Sequence, residues 1–350
     1  MNSKQLAKIA GVSQSTVSRA LNDSSLVSSE TKLLIKNIAE ENGFALNSQA
    51  RSLKTQRTRT IGILFQEHFV DFTLNMYQSH IFNLIRKELQ KSDYDVMTLF
   101  DNPYRSNRIE KILEVIKNKK VDGLLILRTD VKTIGDVIRD MGLPYVHILT
   151  PLNDKSLDKS LWLNFKLGGY KAGNYFARAG HKNIVVISSK EEAEIARDKT
   201  AGFQQALKEH DVELTENNIV YGDFSFESGY EVVNDNIEIF KKSTAVFSHN
   251  DAMALGAIEA FKEHEIRVPD DIEIIGHDNI PLSEWFKPYL STVHIDSESI
   301  ITDACTWLKK QINGDNDYAP EERVSQPKLL LRGTCSLNRI NFDDLDEITL

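Results

Sequence analysis

The segment Gly11 to Asn22, GVSQSTVSRALN, constrains the fold more than any other stretch of the chain. Ser3 can cap a first helix carrying Leu6, Ala7, Ile9 and Ala10, and Gly11 tolerates the positive φ needed where that helix stops. Val12 fills the corner. Ser13 is placed to cap a second helix whose first turn exposes Gln14, Ser15 and Thr16, while Val17, Ala20 and Leu21 recur at helical spacing on the opposite face. Ser28 or Ser29 caps a third helix with Leu33, Leu34, Ile35, Ile38 and Ala39 on its apolar side, ending at Asn42-Gly43. The spacing predicts a helix-turn-helix unit with its apolar side inward and a hydrogen-bonding N-terminus outward.

Such a second helix suits the major groove of DNA. Gln and Ser side chains reach base edges, Arg19 lies one turn on and can fork to a guanine or a phosphate, and Ser18 can hold a phosphate. Ser13, Gln14, Ser15, Thr16, Ser18 and Arg19 are therefore the DNA-contacting candidates. The competing reading is an ordinary capped helical hairpin. Charge argues against it: residues 1 to 59 hold nine Lys+Arg against four Asp+Glu, while the rest of the chain holds 33 against 47. A basic head on an acidic body is what phosphate contact at one end requires, and the net charge of −9 disfavours a chain that coats nucleic acid along its length.

From Thr60 onward, strand-like runs alternate with helical stretches: TIGILF, DVMTLF, VDGLLIL, PYVHIL, NIVVISS, TAVFSH and IEIIGH. This alternation predicts parallel sheets covered by helices on both faces, with more segments than one sheet holds comfortably. No G-x-G-x-x-G follows the first strand and no P-loop occurs anywhere, which disfavours a nucleotide-cofactor enzyme. Gly168-Gly169 reads as a strand-to-helix turn with close packing. The pairings His249 with Asp251 and His277 with Asp278 fit no zinc signature, and solvent or packing roles are the expectation for them. No metal and no cofactor are expected. Two cysteines, no apolar run of membrane-spanning length and no export signal at the N-terminus suggest a reduced, cytoplasmic chain.

The motifs LAKIAGVSQSTVSRALN, VSSET, ARSLKTQRTRTIGIL, TAGF, GDFSFESGY, NDAMALGA, RVPDDIEIIGHD and LSTV, in that order, resemble the lactose/galactose repressor (LacI/GalR) family of transcription regulators over nearly the whole chain. The resemblance implies an N-terminal all-α helix-turn-helix head plus an α/β core of two Rossmann-like lobes. The head would span 1–46, a hinge helix and linker 47–59, and the core 60–340. Within the core, the first lobe would comprise 60–161 and 292–324, the second 162–291 and 325–340, with 341–350 an acidic, partly disordered tail.

It further implies a small-molecule effector between the lobes. Asn250 and Asp278, just after strands, match positions that bond effector hydroxyls or ring nitrogens, and Phe224 matches an aromatic that stacks on an effector ring. Arg197 and Lys199 stand where two arginines are common; Asn164 replaces a common aspartate and His277 a common aromatic. Lysine lacks arginine's planar fork, so Lys199 disfavours a purine and leaves a sugar as the first expectation, with a purine or a protein co-regulator as the alternatives. Phe72 and Tyr77 are candidates for the first-lobe side, with helix packing the alternative.

By the same resemblance, the chain is expected to be a homodimer repressing a carbohydrate operon from a pseudo-palindromic double-stranded DNA operator. Asn47, Ala50 and Leu53 of a hinge helix would meet DNA, with Leu53 wedged into the minor groove. The tail NRINFDDLDEITL lacks the leucine heptad of the family's tetramers. A periplasmic sugar-binding protein would share the core but has no use for the head, and no nucleophile, base or metal constellation marks an enzyme.

Overall fold

A computed structural model describes residues 2–21, 24–44, 57–66, 76–101, 108–127, 137–151, 159–189, 194–336 and 348–349. The chain divides into two compact units, Met1–Arg59 and Thr60–Leu350. The hinge candidates Asn47, Ala50 and Leu53, and Phe72, lie outside the described residues.

The first unit holds α1 (Ser3–Ile9), α2 (Gln14–Leu21) and α3 (Ser29–Glu41). Leu6, Ala7, Val17, Ala20, Ile35 and Ala39 close its core, one or two residues per turn from each helix. Gly11 sits at φ +65 between α1 and α2, a backbone that a residue with a Cβ resists. Two expectations change and one alternative is decided. Asn2, not Ser3, caps α1, in a reciprocal box with Gln5. Ile9 on α1, and Leu33 and Leu34 on α3, are more than half exposed, because the small core is filled by Leu6 and Ile35 and leaves no third layer. Ser28, of the two serines, caps α3.

The second unit continues with β1 (Thr60–Gln66), α4 (Met76–Gln90), β2 (Asp95–Asp101), α5 (Arg108–Lys117), β3 (Gly123–Leu127), β4 (Tyr145–Pro151), β5 (Ser160–Leu163), α6 (Phe165–Arg178), β6 (Ile184–Ser189) and α7 (Glu194–Glu209). Then follow β7 (Ile219–Gly222), α8 (Phe226–Asp235), α9 (Ile237–Phe240), β8 (Ala245–Ser248), α10 (Asp251–Glu263), β9 (Glu273–Asp278), β10 (Ser291–His294), α11 (Ser297–Ile312), β11 (Val324–Ser325), β12 (Lys328–Leu330) and β13 (Ile348–Thr349). One sheet runs β11-β5-β4-β3-β1-β2 and is parallel throughout. The other runs β13-β12-β10-β9-β8-β6-β7, with the antiparallel pair β10–β12.

Each sheet is apolar on both faces, as the unbroken apolar runs require. In the first, Ile61, Ile63 and Phe65 pack with Ile81 and Ile85 of α4 and Ile301 and Leu308 of α11, while Leu64, Leu124 and Ile126 pack with Ile112 and Ile116 of α5. In the second, Val185, Ile187 and Val246 meet Met253, Ala257 and Phe261 of α10. On the opposite face Val186 and Phe247 meet Phe176 of α6 and Phe203 of α7.

The chain passes between sheets three times: from β5 into α6, from β10 into α11, and from β11 into β12. Trp162 and Leu163 pair with β11 in the first sheet, whereas Thr292 and Val293 pair with β9 in the second. The first two crossings therefore fall after Leu163 and after His294, a few residues beyond the expected borders at 161 and 291, because each strand stays whole in one sheet. Gly168 and Gly169 lie inside α6 rather than in a turn. A Cβ on Gly169 would overlap the Lys199 carbonyl, and one on Gly202 the Lys166 carbonyl, so α6 and α7 touch backbone to backbone. At the tail, Ile348–Thr349 pairs with Leu329–Leu330 as a strand, so that part of 341–350 is ordered against the second sheet.

Candidate functional site

In the head, Ser13 Oγ accepts from the Thr16 N–H at 3.0 Å and shares hydrogen bonds with Ser15 Oγ at 2.7 Å and Thr16 Oγ1 at 2.8 Å. These bonds satisfy the first turn of α2 and aim its polar edge outward. Gln14 Nε2 donates to Ser3 Oγ at 2.8 Å, which fixes the amide over the start of α1. Arg19 is exposed, one turn further along, and Ser18 is half-buried. The six candidates thus form one polar, solvent-facing edge, while Val17 and Ala20 bury the other.

In the second unit, polar residues gather where β6, β8 and β9 end at their carboxyl edge, the usual ligand position of an open parallel sheet. Asn250 caps α10: its Oδ1 accepts from the Met253 N–H at 2.9 Å and its Nδ2 donates to the Phe224 carbonyl at 2.8 Å. Phe224 sits at φ +72, half-buried against the core beside α8 and α10. Lys199 is 3% exposed; its Nζ donates to the His249 carbonyl at 2.7 Å, stands 3.8 Å from Asp278 Oδ1 and lies 5.3 Å over the Phe165 ring. Asn164 caps α6 through the Leu167 N–H at 3.0 Å, next in chain to Phe165. Lys199, Asn250, Asp278 and Phe224 are joined by these contacts. Arg197 is exposed, two residues from buried Lys199 and so on another face of α7. Tyr77 packs against the first sheet's core with its hydroxyl 3.3 Å from Ser297 Oγ, the helix-packing alternative.

The histidines are not idle packing. His277 Nδ1 is 2.7 Å from Asp278 Oδ1, and burial together with the Lys199 charge holds its imidazole down at about 4, against the pull of Asp278. His249 is not paired with Asp251: its ring reaches Ser188 Oγ at 3.2 Å and Thr200 Oγ1 at 3.4 Å, and burial, then Lys199 and His277, keep it well below the ordinary histidine range. Asp251 instead accepts from Thr292 Oγ1 at 2.6 Å and the Ile280 N–H at 2.8 Å. Burial, reinforced by the Asp278 charge, pushes it up to about 8, so it is protonated at neutral pH. Ser188, Ser189, Thr200 and His249 were not among the site candidates. For Ser188, Ser189 and His249 the signal is the polar ending of apolar strands, IVVISS and AVFSHND; Thr200, inside α7, has no such mark. The result is a buried polar layer of neutral rings and hydroxyls holding the Lys199–Asp278 ion pair. It can hydrogen-bond a polar ligand.

A helix-turn-helix head together with two parallel-sheet lobes and a polar layer at the strand ends defines a ligand-controlled DNA-binding regulator. Residues 4–47 match the model of bacterial regulatory proteins of the lacI family, and residues 174–335 that of a periplasmic binding protein-like domain. The HTH-type transcriptional repressor PurR of Photobacterium profundum is 32% identical over 337 residues, covering 94% of this chain and 97% of its own length. The ribose operon repressor of Haemophilus influenzae is 30% identical over 334 residues, covering 95% and 96%. Among solved structures, the lac repressor dimer bound to operator and the anti-inducer ONPF superposes with a TM-score of 0.79 at 22% identity, covering 95% of this chain and 98% of that one. An Enterococcus faecium regulator with bound ribose gives 0.67 at 24%, covering 79% and 98%. The chain belongs to the lacI family of bacterial regulatory proteins: it is a DNA-binding transcriptional repressor with a small-molecule effector domain.

Proposed function

We propose that this repressor acts in the cytoplasm as a homodimer on a pseudo-palindromic operator of a carbohydrate-utilisation operon, and that a sugar bound between its lobes controls it. DNA is read through Ser13, Gln14, Ser15, Thr16, Ser18 and Arg19, and through Asn47, Ala50 and Leu53 of the hinge. The sugar is held by Asn250, Asp278 and Phe224, with Asn164 and Phe72 contributing and Lys199 acting through Asp278; Arg197, exposed on another face of α7, is left out of the set. The observation that carries the sugar reading is the commitment of Lys199, whose ammonium is spent on the His249 carbonyl and Asp278, so the wall offers a carboxylate, amides and hydroxyls to a neutral polyol. The ribose operon repressor of H. influenzae and the ribose-bound neighbour support it.

A purine is the second reading, favoured by the repeated likeness to PurR repressors at about one-third identity. Effector binding shifts the spacing of the two hinge segments, a coupling on the order of 1–3 kcal/mol between sites. Trp285, Phe286 and Tyr289, each more than two-fifths exposed within five residues, support a dimer through this apolar face. Catalysis is not part of the proposal: Ser188 and His249 are adjacent, but the serine is buried and the ring's second nitrogen faces Thr200 rather than a carboxylate. No helix among the described residues is long and apolar enough to cross a membrane.

The test is the melting temperature of the full-length protein against ribose, glucose, cellobiose, hypoxanthine and guanine. A ligand at a hundred times its Kd stabilises by about 2.7 kcal/mol, which is visible as a shift. A shift with a sugar supports the first reading, a shift with a purine base the second, and none with any compound removes both.

A further inference from the structure

Asp278 holds its carboxylate in a one-sided setting. Both protein partners approach Oδ1, His277 Nδ1 at 2.7 Å and Lys199 Nζ at 3.8 Å, while Oδ2 makes no hydrogen bond among the described residues. The backbone beneath stands at φ +107, a region that residues with a Cβ rarely enter, and Asn279 follows at φ +54. Such strain persists only where the surroundings over-determine it. Here they do: the Asn279 N–H donates to Thr292 Oγ1 at 3.3 Å, and its Oδ1 accepts from Arg332 Nη2 at 2.9 Å and from Ser283 Oγ at 3.1 Å.

The His277 ring is fully buried, 6.1 Å from the Phe165 ring, with its Nε2 against Gly168, where a Cβ would come within 2.9 Å. Because a carboxylate faces Nδ1, the proton of the neutral ring sits there, and Nε2 is left as a buried acceptor without a partner. An aromatic hydrocarbon would occupy the same slot without stranding that nitrogen. What the imidazole adds is the single bond to Asp278.

We propose that His277 is a positioning residue for effector recognition: its Nδ1–H pins Asp278 Oδ1, so that Oδ2 is presented as a lone, oriented acceptor. The site then selects ligands that donate a hydroxyl or N–H and rejects those that bring a phosphate or carboxylate to this point, since Lys199 is already engaged. This rests on the effector reading above.

The test compares three substitutions in the full-length protein. His277→Asn keeps a donor at the place of Nδ1; His277→Gln moves it to the place of Nε2; His277→Phe fills the slot with no donor. Melting shifts and titration calorimetry are run with ribose, glucose, cellobiose, hypoxanthine, guanine and ribose 5-phosphate. The neutral compound that shifts the wild type should lose on the order of tenfold or more in affinity in His277→Phe and His277→Gln and recover in His277→Asn, with ribose 5-phosphate bound by none. Unchanged affinity in His277→Phe, equal losses in all three, or preferential binding of the phosphate overturns the proposal.

If no compound shifts the wild type, the effector reading fails by itself. His277 is then judged by the proton resonance of its Nδ1–H, which should lie downfield and exchange slowly in the wild type and move upfield in Asp278→Asn, where a neutral amide replaces the charged acceptor. A resonance unchanged in Asp278→Asn overturns the positioning role.

Discussion

Asn250 Nδ2 donates to the carbonyl of Phe224 across 26 residues of chain, at 2.8 Å, while the same amide's oxygen caps α10. One side chain therefore starts a helix and holds the left-handed turn that carries the proposed stacking ring. Asn250→Ala should lower core stability by about 1–2 kcal/mol, the usual cost of a lost cap, and weaken effector binding as well. Asn250→Ser restores the cap but does not reach Phe224. Chemical denaturation should thus show stability recovering in the serine variant while the ligand-induced melting shift stays low; parallel recovery of both would separate Phe224 from the ligand.

Acid and alkaline stability should respond to different residues. His277 is held at about 4 in the fold and titrates near 6.5 when unfolded, so below pH 6.5 the unfolded chain binds the extra proton. Stability from this group is full above 6.5 and is lost toward pH 4, by roughly 3 kcal/mol in total. Asp251 has the opposite sign: raised to about 8, it keeps its proton in the fold while the unfolded chain has released it, so stability falls as pH rises from 4 to 8. Urea midpoints at pH 5, 6.5 and 8 should show a shallower acid limb in His277→Phe and a flatter limb from 6.5 to 8 in Asp251→Asn.

The backbone contact between α6 and α7 places Lys199. A methyl group at Gly202 would meet the Lys166 carbonyl, and the helices must separate to admit it. Gly202→Ala should cost about 1–3 kcal/mol, the range for overpacking, and should reduce effector response more than Ala201→Gly, an exposed neighbour. Equal effects on ligand response would show that helix spacing does not govern the Lys199–Asp278 pair.

Arg19 tests how the head reads DNA. If its guanidinium forks to a guanine, Arg19→Ala costs about 1–3 kcal/mol on an operator selected from random DNA and relaxes one base position. If it holds a phosphate, the loss is uniform across sequences and the salt slope falls by about one. Fluorescence anisotropy over a salt series separates these outcomes, and no change on any sequence would remove Arg19 from the interface. Leu53→Ala should weaken the same operator sharply while leaving the ligand shift intact.

Where sequence reading succeeded, the signal was local. The cap at Ser13, the turn at Gly11 and the buried pair Val17 and Ala20 all follow from spacing within a dozen residues, and the seven strand-like runs from TIGILF to IEIIGH all form strands. Where it missed, the deciding partner was distant. Leu33 and Leu34 look like core until the three short helices close around Leu6, Val17 and Ile35 with the alanines Ala7, Ala20 and Ala39, which leaves no room for them. Ser160–Leu163 and Ser291–His294 form strands outside those seven runs, and they displace the lobe borders. Asn250 and Asp278 stand in motifs of the sequence, whereas His249 reads there as packing, because Ser188 and Thr200, its partners, lie 61 and 49 residues away.

Hydrophobic periodicity and helix capping act over one or two turns, so the order of residues by itself determined a three-helix head followed by alternating strands and helices. Which hydroxyl meets which ring, why Asp251 keeps a proton, and why Asp278 turns one oxygen inward toward Lys199 and His277 were decided only by tertiary structure. Burial and charge shift a titrating group through neighbours brought from several strands and helices, and no spacing along the chain encodes that register.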